Sequence, residues 1–317
     1  MSNSPGISER CVWLTELEKQ FSGGETELSI PGISVLGYGE ISTVLAADEQ
    51  PDVVLKRMAG FQTEQEVSTY KNEVEEYIRL LQTRDLNVLK TQVIPVSVHG
   101  RTVVYLVQTR IPKEAIGNHI LLYGSDAEWT SFQEQVLLST HKVLSQNSAG
   151  PSCTGSVGLD AQISNWANLP TENGEARAVY LDVGTPLYRQ NGQLCSAPAL
   201  TLRSLPRPMA FLLQHTLFEG VVSRYFLPRE VLKDIAANFY KEGKPERIGI
   251  FLRHALSGLQ RYDSSATPLS EQEVRAYYRE DKFIWTLFQA LRRFDRFVTQ
   301  RILRRRYEFF LPGPVRR

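Results

Sequence analysis

The hydrophobic period changes once along this chain of 317 residues, and no other feature narrows the fold more. Before about residue 108, apolar residues come in short β-forming runs punctuated by Gly, Pro and Asp. Ile33 to Leu45 holds two glycines, Gly37 and Gly39, between β formers, which fits a strand, a Gly-rich turn and a second strand. Asp48 to Asp52 is a turn, and Val53-Val54-Leu55-Lys56-Arg57 is a short strand. Val93–Val98 and Arg101–Gln108 are two more strands joined at His99-Gly100, the second continuously apolar as in a buried strand. One helix interrupts them, Glu64 to Gln82, with Val67, Tyr70, Val74, Tyr77, Ile78 and Leu81 at helical spacing.

Beyond Asp126 the helical period takes over. Asp126–Ser145, Met209–Phe226, Pro228–Tyr240, Pro245–Tyr262 and Ser270 to about Phe309 all read as helices. Prolines stand at two of the starts, where the missing N–H costs nothing, and Ser270 with Glu273 has the capping-box pattern. The last helix is expected to bury Ile284, Leu287, Phe288, Leu291, Phe294, Val298 and Ile302 on one stripe. Strands first and helices after them imply an α+β fold. The expected divisions are a polar lead-in at 1–30, a β-rich lobe at 31–108 and a mainly helical lobe at 109–317. Within the lead-in, Cys11 to Phe21 is an amphipathic piece broken by Ser22-Gly23-Gly24, and Thr109 to Lys113 reads as a hinge.

Bulk properties exclude several classes. The chain is 42% hydrophobic and 22% charged, ordinary for a globular protein with a sizeable core, and its net charge of +1 sets up no global field for nucleic acid or membrane. Cys11, Cys153 and Cys195 are odd in number and far apart, which argues against a disulfide framework. No apolar run approaches the roughly 20 residues of a membrane span. No signal-peptide layout opens the chain, so a reducing cytoplasm is the expected compartment. The five His are scattered, no Walker-type loop exists, and Thr154 to Gly158 lacks the first Gly of a nucleophile elbow. One charge asymmetry stands out: nine Arg lie between Arg292 and Arg317, against Asp295 and Glu308. Arg304-Arg305-Arg306 with Tyr307, Phe309 and Phe310 is either a surface for an anionic partner, nucleic acid or membrane, or the solvated face of a helix.

The stretch from Leu159 to Asp182 carries the chemistry. Asp160 is followed five residues later by Asn165, and an Asp-x-Gly, Asp182-Val183-Gly184, closes an apolar run. Phosphoryl transfer needs such groups: one carboxylate to orient or deprotonate the attacking hydroxyl, and an amide oxygen and a second carboxylate to hold Mg²⁺ against phosphates. Mg²⁺ takes oxygen ligands and few of them from protein, so Asn plus Asp suffices. Lys56 interrupts an apolar alternation; it sits on a solvent face, or it pairs with phosphates and with a helix carboxylate. Glu73 is the most inward acid of the 64–82 helix.

In this order and spacing the segments resemble the protein-kinase-like superfamily, in particular the branch of aminoglycoside phosphotransferases and choline kinases. Gly37-Tyr38-Gly39 with Val44 is similar to the glycine loop, Val53 to Lys56 to the phosphate-lysine strand, and Glu73 to the helix acid. Leu159-Asp160 with Asn165 is similar to the catalytic loop, and Leu181-Asp182-Val183-Gly184 to the metal motif. The resemblance implies a two-lobed protein-kinase-like fold, with a small antiparallel sheet and one helix in the N-lobe and a mainly helical C-lobe. It implies ATP and Mg²⁺ as cofactors and phosphoryl transfer to a small hydroxyl- or amine-bearing acceptor. Gly37, Tyr38, Gly39, Lys56 and Glu73 would bind nucleotide, Asp160 would be catalytic, and Asn165 and Asp182 would bind metal. There are departures: Gly158 stands where the family has His, Ser42 replaces the third glycine, and Gln162 stands where protein kinases place Lys. The last points away from a protein substrate. The changed surroundings of Asp160 keep a second reading open, a nucleotide-binding pseudokinase that works through partners.

Overall fold

A computed structural model describes residues 6–21, 30–39, 42–147, 155–171, 173–196, 200, 218–260 and 268–311. The Ser22-Gly23-Gly24 break, Cys153, and the first half of the expected Met209–Phe226 helix lie outside the described residues.

The N-terminal strands form one antiparallel sheet. β1 (Ile33–Tyr38), β2 (Ser42–Ala47), β3 (Val53–Phe61), β4 (Thr91–Val98) and β5 (Arg101–Thr109) pair in the order β1-β2-β3-β5-β4. His99 and Gly100 link β4 to β5 with φ of 51° and 74°, the two left-handed residues that a tight hairpin turn needs. β5 reads as continuously apolar because both of its faces are covered. Val104 and Leu106 join the core shared with the helical lobe, whereas Val103, Tyr105 and Val107 join a second core on the opposite face.

A helix covers each face of that sheet. On one side lies α2 (Glu64–Thr83), started by Thr63, whose hydroxyl accepts from Glu66 N, and buried through Val67, Tyr70, Glu73, Val74, Tyr77 and Leu81. On the other lies α1 (Ile7–Gln20), whose Leu14 and Leu17 pack with Phe21 into the second core. Residues 7–21 are therefore part of the sheet's packing rather than a polar lead-in.

The helical lobe is built from α3 (Gly117–Tyr123), α4 (Asp126–Ser145), α5 (Phe218–Ser223), α6 (Pro228–Lys241), α7 (Ile248–Gln260) and α8 (Glu271–Phe297). Trp129 of α4, Phe239 of α6 and Phe251 of α7 stack edge to face at 5.5 and 5.1 Å, which locks these helices together. A hairpin of β6 (Trp166–Pro170) and β7 (Ala176–Tyr180) lies on this lobe. Ile163–Asn165 is a single 3₁₀ turn, and the strand starts at Trp166. A two-residue pair, β8 (Arg189–Gln190) with β9 (Gln193–Leu194), follows the Asp-x-Gly.

The last helix departs from expectation twice. It leaves α geometry at Phe297, passes through a π-helical turn (Val298–Ile302), and the chain then runs without helix or strand to Leu311. The buried residues of α8 are Val274, Phe288, Gln289 and Arg292, so of the expected stripe only Phe288 is buried. Ile284, Leu287, Phe294 and Ile302 are exposed, and Leu291 and Val298 are half-buried. Hydrophobic period locates a stripe but not the side on which the body lies. Here the body meets the side marked by Arg292, whose guanidinium lies 5.2 Å from the ring centre of Phe288 and 5.0 Å from that of Phe309. Tyr307 and Leu311 are buried, and Phe310 packs on Phe21 at 5.3 Å. The aromatic residues of the basic tail are thus committed to packing.

Candidate active site

Pairing across the sheet puts Gly37, Val44, Lys56 and Leu106 in one row. Strand spacing separates Gly37 from Lys56 by about 10 Å on the same face. Gly37 and Tyr38 end β1 after a bulge between Val35 and Gly37, and Gly39 N donates to Ser42 O at 2.9 Å. Glu40 and Ile41, at the tip, lie outside the described residues.

Lys56 points into the cleft. Its Nζ donates to Asp182 Oδ1 at 2.7 Å, joining β3 to a residue 126 positions later. Gly184 N donates to the same oxygen at 3.0 Å. A Cβ on Gly184 would stand 2.9 Å from Lys56 Nζ and 3.1 Å from Cε, so a side chain here would push the ammonium from its place beside Asp182. Burial works against the charge on Asp182, but the Lys56 ammonium and the Gly184 amide hold its carboxyl below the ordinary range.

The Asp160 turn is stitched to the Asp182 turn. Asn165 O accepts from Leu181 N at 2.8 Å, and Leu181 O accepts from Gln108 Nε2 at 2.8 Å, tying both to the end of β5. Asn165 Nδ2 donates to Asp160 O at 3.0 Å, as does the Tyr180 hydroxyl at 3.1 Å. With its nitrogen so used, Asn165 keeps its amide oxygen as an acceptor.

Two tyrosines of α2 hold the backbones of both turns, which sequence reading missed. Tyr70 donates to Gly184 O at 2.8 Å and Tyr77 to Gly158 O at 2.9 Å. Burial pushes both phenols well above their usual range, so they remain hydrogen donors. Their spacing of seven, on the stripe that carries Glu73, was the available signal; both read simply as core. Gly158, where the family has His, is backed by the Phe226 ring 3.1 Å from where a Cβ would be. A side chain there would have to displace that ring by a few tenths of an ångström.

Glu73 is not brought to Lys56. Its Oε1 accepts from Ser196 N at 2.7 Å and Ser196 Oγ at 2.8 Å, while Lys56 is engaged by Asp182. The expected pairing does not form: Ser196 holds one oxygen, and the other, Oε2, is buried without a hydrogen-bond partner.

Asp160 sits among other acids. Burial, then the carboxylates of Asp234 and Asp182, push its carboxyl up to about 8. Asp234, on α6, is itself raised by burial, against the pull of Lys241 and Tyr277. Tyr277 donates to Asp234 Oδ1 at 3.0 Å, and Asn238 Nδ2 donates to Gln162 Oε1 at 3.0 Å. Asp234 Oδ2 and Asn238 Oδ1 are buried without a hydrogen-bond partner. An acid and an amide at i and i+4 on the otherwise apolar face of α6 were the signal for this cluster, and sequence reading did not use it.

The oxygens of Asp182 and Asn165 fit a hard divalent ion that keeps most of its coordination for phosphate and water. Among the described residues no cluster of three or more His, Cys, Asp or Glu has metal-holding geometry, so the ion would have few protein ligands. A cavity of about 420 Å³ lies elsewhere, between the 82–90 connection and the β6–β7 hairpin, and none of these site residues lines it.

A five-stranded antiparallel sheet with a helix on each face, joined to a larger helical lobe by a lysine-to-Asp-x-Gly contact, has the two-lobed α+β layout expected from the sequence. The chain belongs to a family of unknown function, DUF6206, whose model matches residues 21–296. No curated protein matches the chain. Solved structures similar to it include WaaP in complex with acyl carrier protein, at 11% identity over 82% of this chain and 87% of that one, with a TM-score of 0.37. The GDP and kanamycin complex of APH(2")-IIia has 11% identity over 81% and 99%, with a TM-score of 0.33. The GDP complex of wild-type aminoglycoside 2'-phosphotransferase-IIIa has 10% identity over 80% and 98%, with a TM-score of 0.33.

Proposed function

We propose that this chain is a phosphotransferase that moves the γ-phosphoryl group of ATP to a small acceptor bearing a hydroxyl or an amine. The observation that carries the reading is the 2.7 Å contact of Lys56 with Asp182, with Asn165 and Asp160 on the adjoining turn. An ammonium, a carboxylate and an amide oxygen so placed supply the charge that a triphosphate and its counter-ion require. Lys56 would bind phosphate oxygens, and Gly37, Tyr38 and Gly39 would cover them. Asn165 and Asp182 would hold Mg²⁺, which neutralises charge on the phosphates when bound. Asp160 would orient the acceptor and take its proton as the acceptor's oxygen or nitrogen bonds to phosphorus and the bond to ADP breaks. Asp234 and Asn238, with unpaired buried oxygens beside Asp160, would receive donor groups of the acceptor.

A second reading has its own observations. Glu73 is engaged by Ser196, and Asp160 is largely protonated at neutral pH, as in a nucleotide-binding module without turnover. Transfer from γ-labelled ATP to a panel of hydroxyl and amine acceptors separates the two. Turnover that is lost by about 10²-fold or more in Asp160→Asn, with ATP binding kept, supports the enzyme. Binding without turnover on any acceptor, and no difference in Asp160→Asn, supports the module.

A further inference from the structure

The apolar stripe of α8 faces solvent. At 3.6 residues per turn, Phe283, Leu287, Phe294 and Phe297 fall within an arc of about 80°, roughly opposite the buried Val274 and Arg292. Phe283 is 69% exposed, Phe294 64% and Phe297 55%, and Ile302 and Leu303 extend the stripe at 64% and 54%. Exposed apolar surface of this extent on a folded protein marks an interaction site. Its rim is mainly cationic: over residues 279–305 the exposed charged side chains are Arg279, Lys282, Arg293, Arg301, Arg304 and Arg305, against Glu280.

We infer that this face of α8 docks on an anionic membrane surface, with the rings and aliphatic chains in the acyl boundary and the cations among the headgroups. The combination of an aromatic-aliphatic stripe with a Lys/Arg rim on one long helix is what binds in the plane of the interface. Among the described residues no helix is long and apolar enough to cross a membrane, so the contact is peripheral. Nucleic acid fits less well. Its recognition is dominated by phosphate and offers no apolar surface for six such side chains. The aromatic residues that would stack on bases are used elsewhere, Tyr307 being buried and Phe310 packed on Phe21. A second copy docked through the same face would set two cationic rims against each other.

Flotation of the full chain with vesicles tests this, using phosphatidylcholine alone and with a third of it replaced by phosphatidylserine. The protein is expected to float with the mixed vesicles and to be released by salt. Arg301→Gln with Arg304→Gln and Arg305→Gln should weaken binding by about fivefold per arginine. Phe294→Ser with Phe297→Ser should weaken it by about tenfold per ring. Hydrogen exchange of the unmodified protein, slowed by mixed vesicles over residues 283–303, gives the same answer without substitutions. No flotation, flotation that survives loss of both rings, or a dimer by sedimentation that those serines dissolve would overturn the inference.

Discussion

Asp160 has the most consequential environment of any side chain here. It is crowded by Asp234 and Asp182, and burial with these carboxylates lifts its carboxyl to about 8 from a usual 3.8. A folded carboxyl raised this far stays protonated while the unfolded one ionises. Its stabilising contribution is therefore complete below about pH 4 and is lost as pH rises through about 8. Asp160→Asn removes that loss, so the variant should gain thermal stability relative to the parent at alkaline pH and little at pH 4. The same titration predicts a kinetic signature. The essential base of the free enzyme must be ionised, so kcat/KM should rise with pH up to about 8. A kcat/KM already flat from pH 6 upward would show that Asp160 is not the titrating base.

At the scale of elements, β3 organises the N-terminal lobe by alternating two charges. Lys56 faces the cleft and Arg57 faces the other way, into a buried ion cluster. Glu18 of α1 accepts from Arg57 at 2.9 and 2.8 Å, from Arg101 at 2.8 Å and from Tyr105 at 2.7 Å, and Glu308 of the tail joins through Arg101 at 3.0 Å. Burial resists the charge of Glu18, but Arg57, Tyr105 and Arg101 hold it below its usual range. Removing one member of such a buried pair strands the others, so Glu18→Ala should destabilise by about 3–5 kcal/mol in chemical denaturation. A cost within a few tenths of a kcal/mol would show that the cluster is open to water. None of this was legible in the sequence. Glu18 lies on a helix of mixed polarity, and its partners come from β3, β5 and residue 308, so only tertiary structure brings them together. Strands, turn and helix from 33 to 108 were legible because local period and turn chemistry decide them, as at His99-Gly100. Lys56, Asp160, Asn165 and Asp182 could be picked out because the chemistry limits the residue types and their order. The partner of Glu73 could not, since Ser196 reaches it through a fold-level approach. The exposed stripe of α8 was misread because periodicity does not say which side the body takes.

For the whole molecule, two links join the lobes away from the cleft. The 82–90 connection docks on β7, with Leu89 N donating to Tyr180 O at 2.9 Å and Tyr180 N to Asn87 O at 2.8 Å. The tail leaves α8 and packs on the far face of the sheet through Phe310. These restraints leave Lys56 and Asp182 in contact across the cleft. On the proposed function, this pair opens to receive a nucleotide and its metal. Thermal melts of the parent and of Asp182→Ala, each with and without ATP·Mg²⁺, test it most directly. At ligand about 100 times its Kd the parent should gain roughly 2.7 kcal/mol, and the variant should lose most of that gain. No gain in the parent, or an undiminished gain in Asp182→Ala, would contradict the claim.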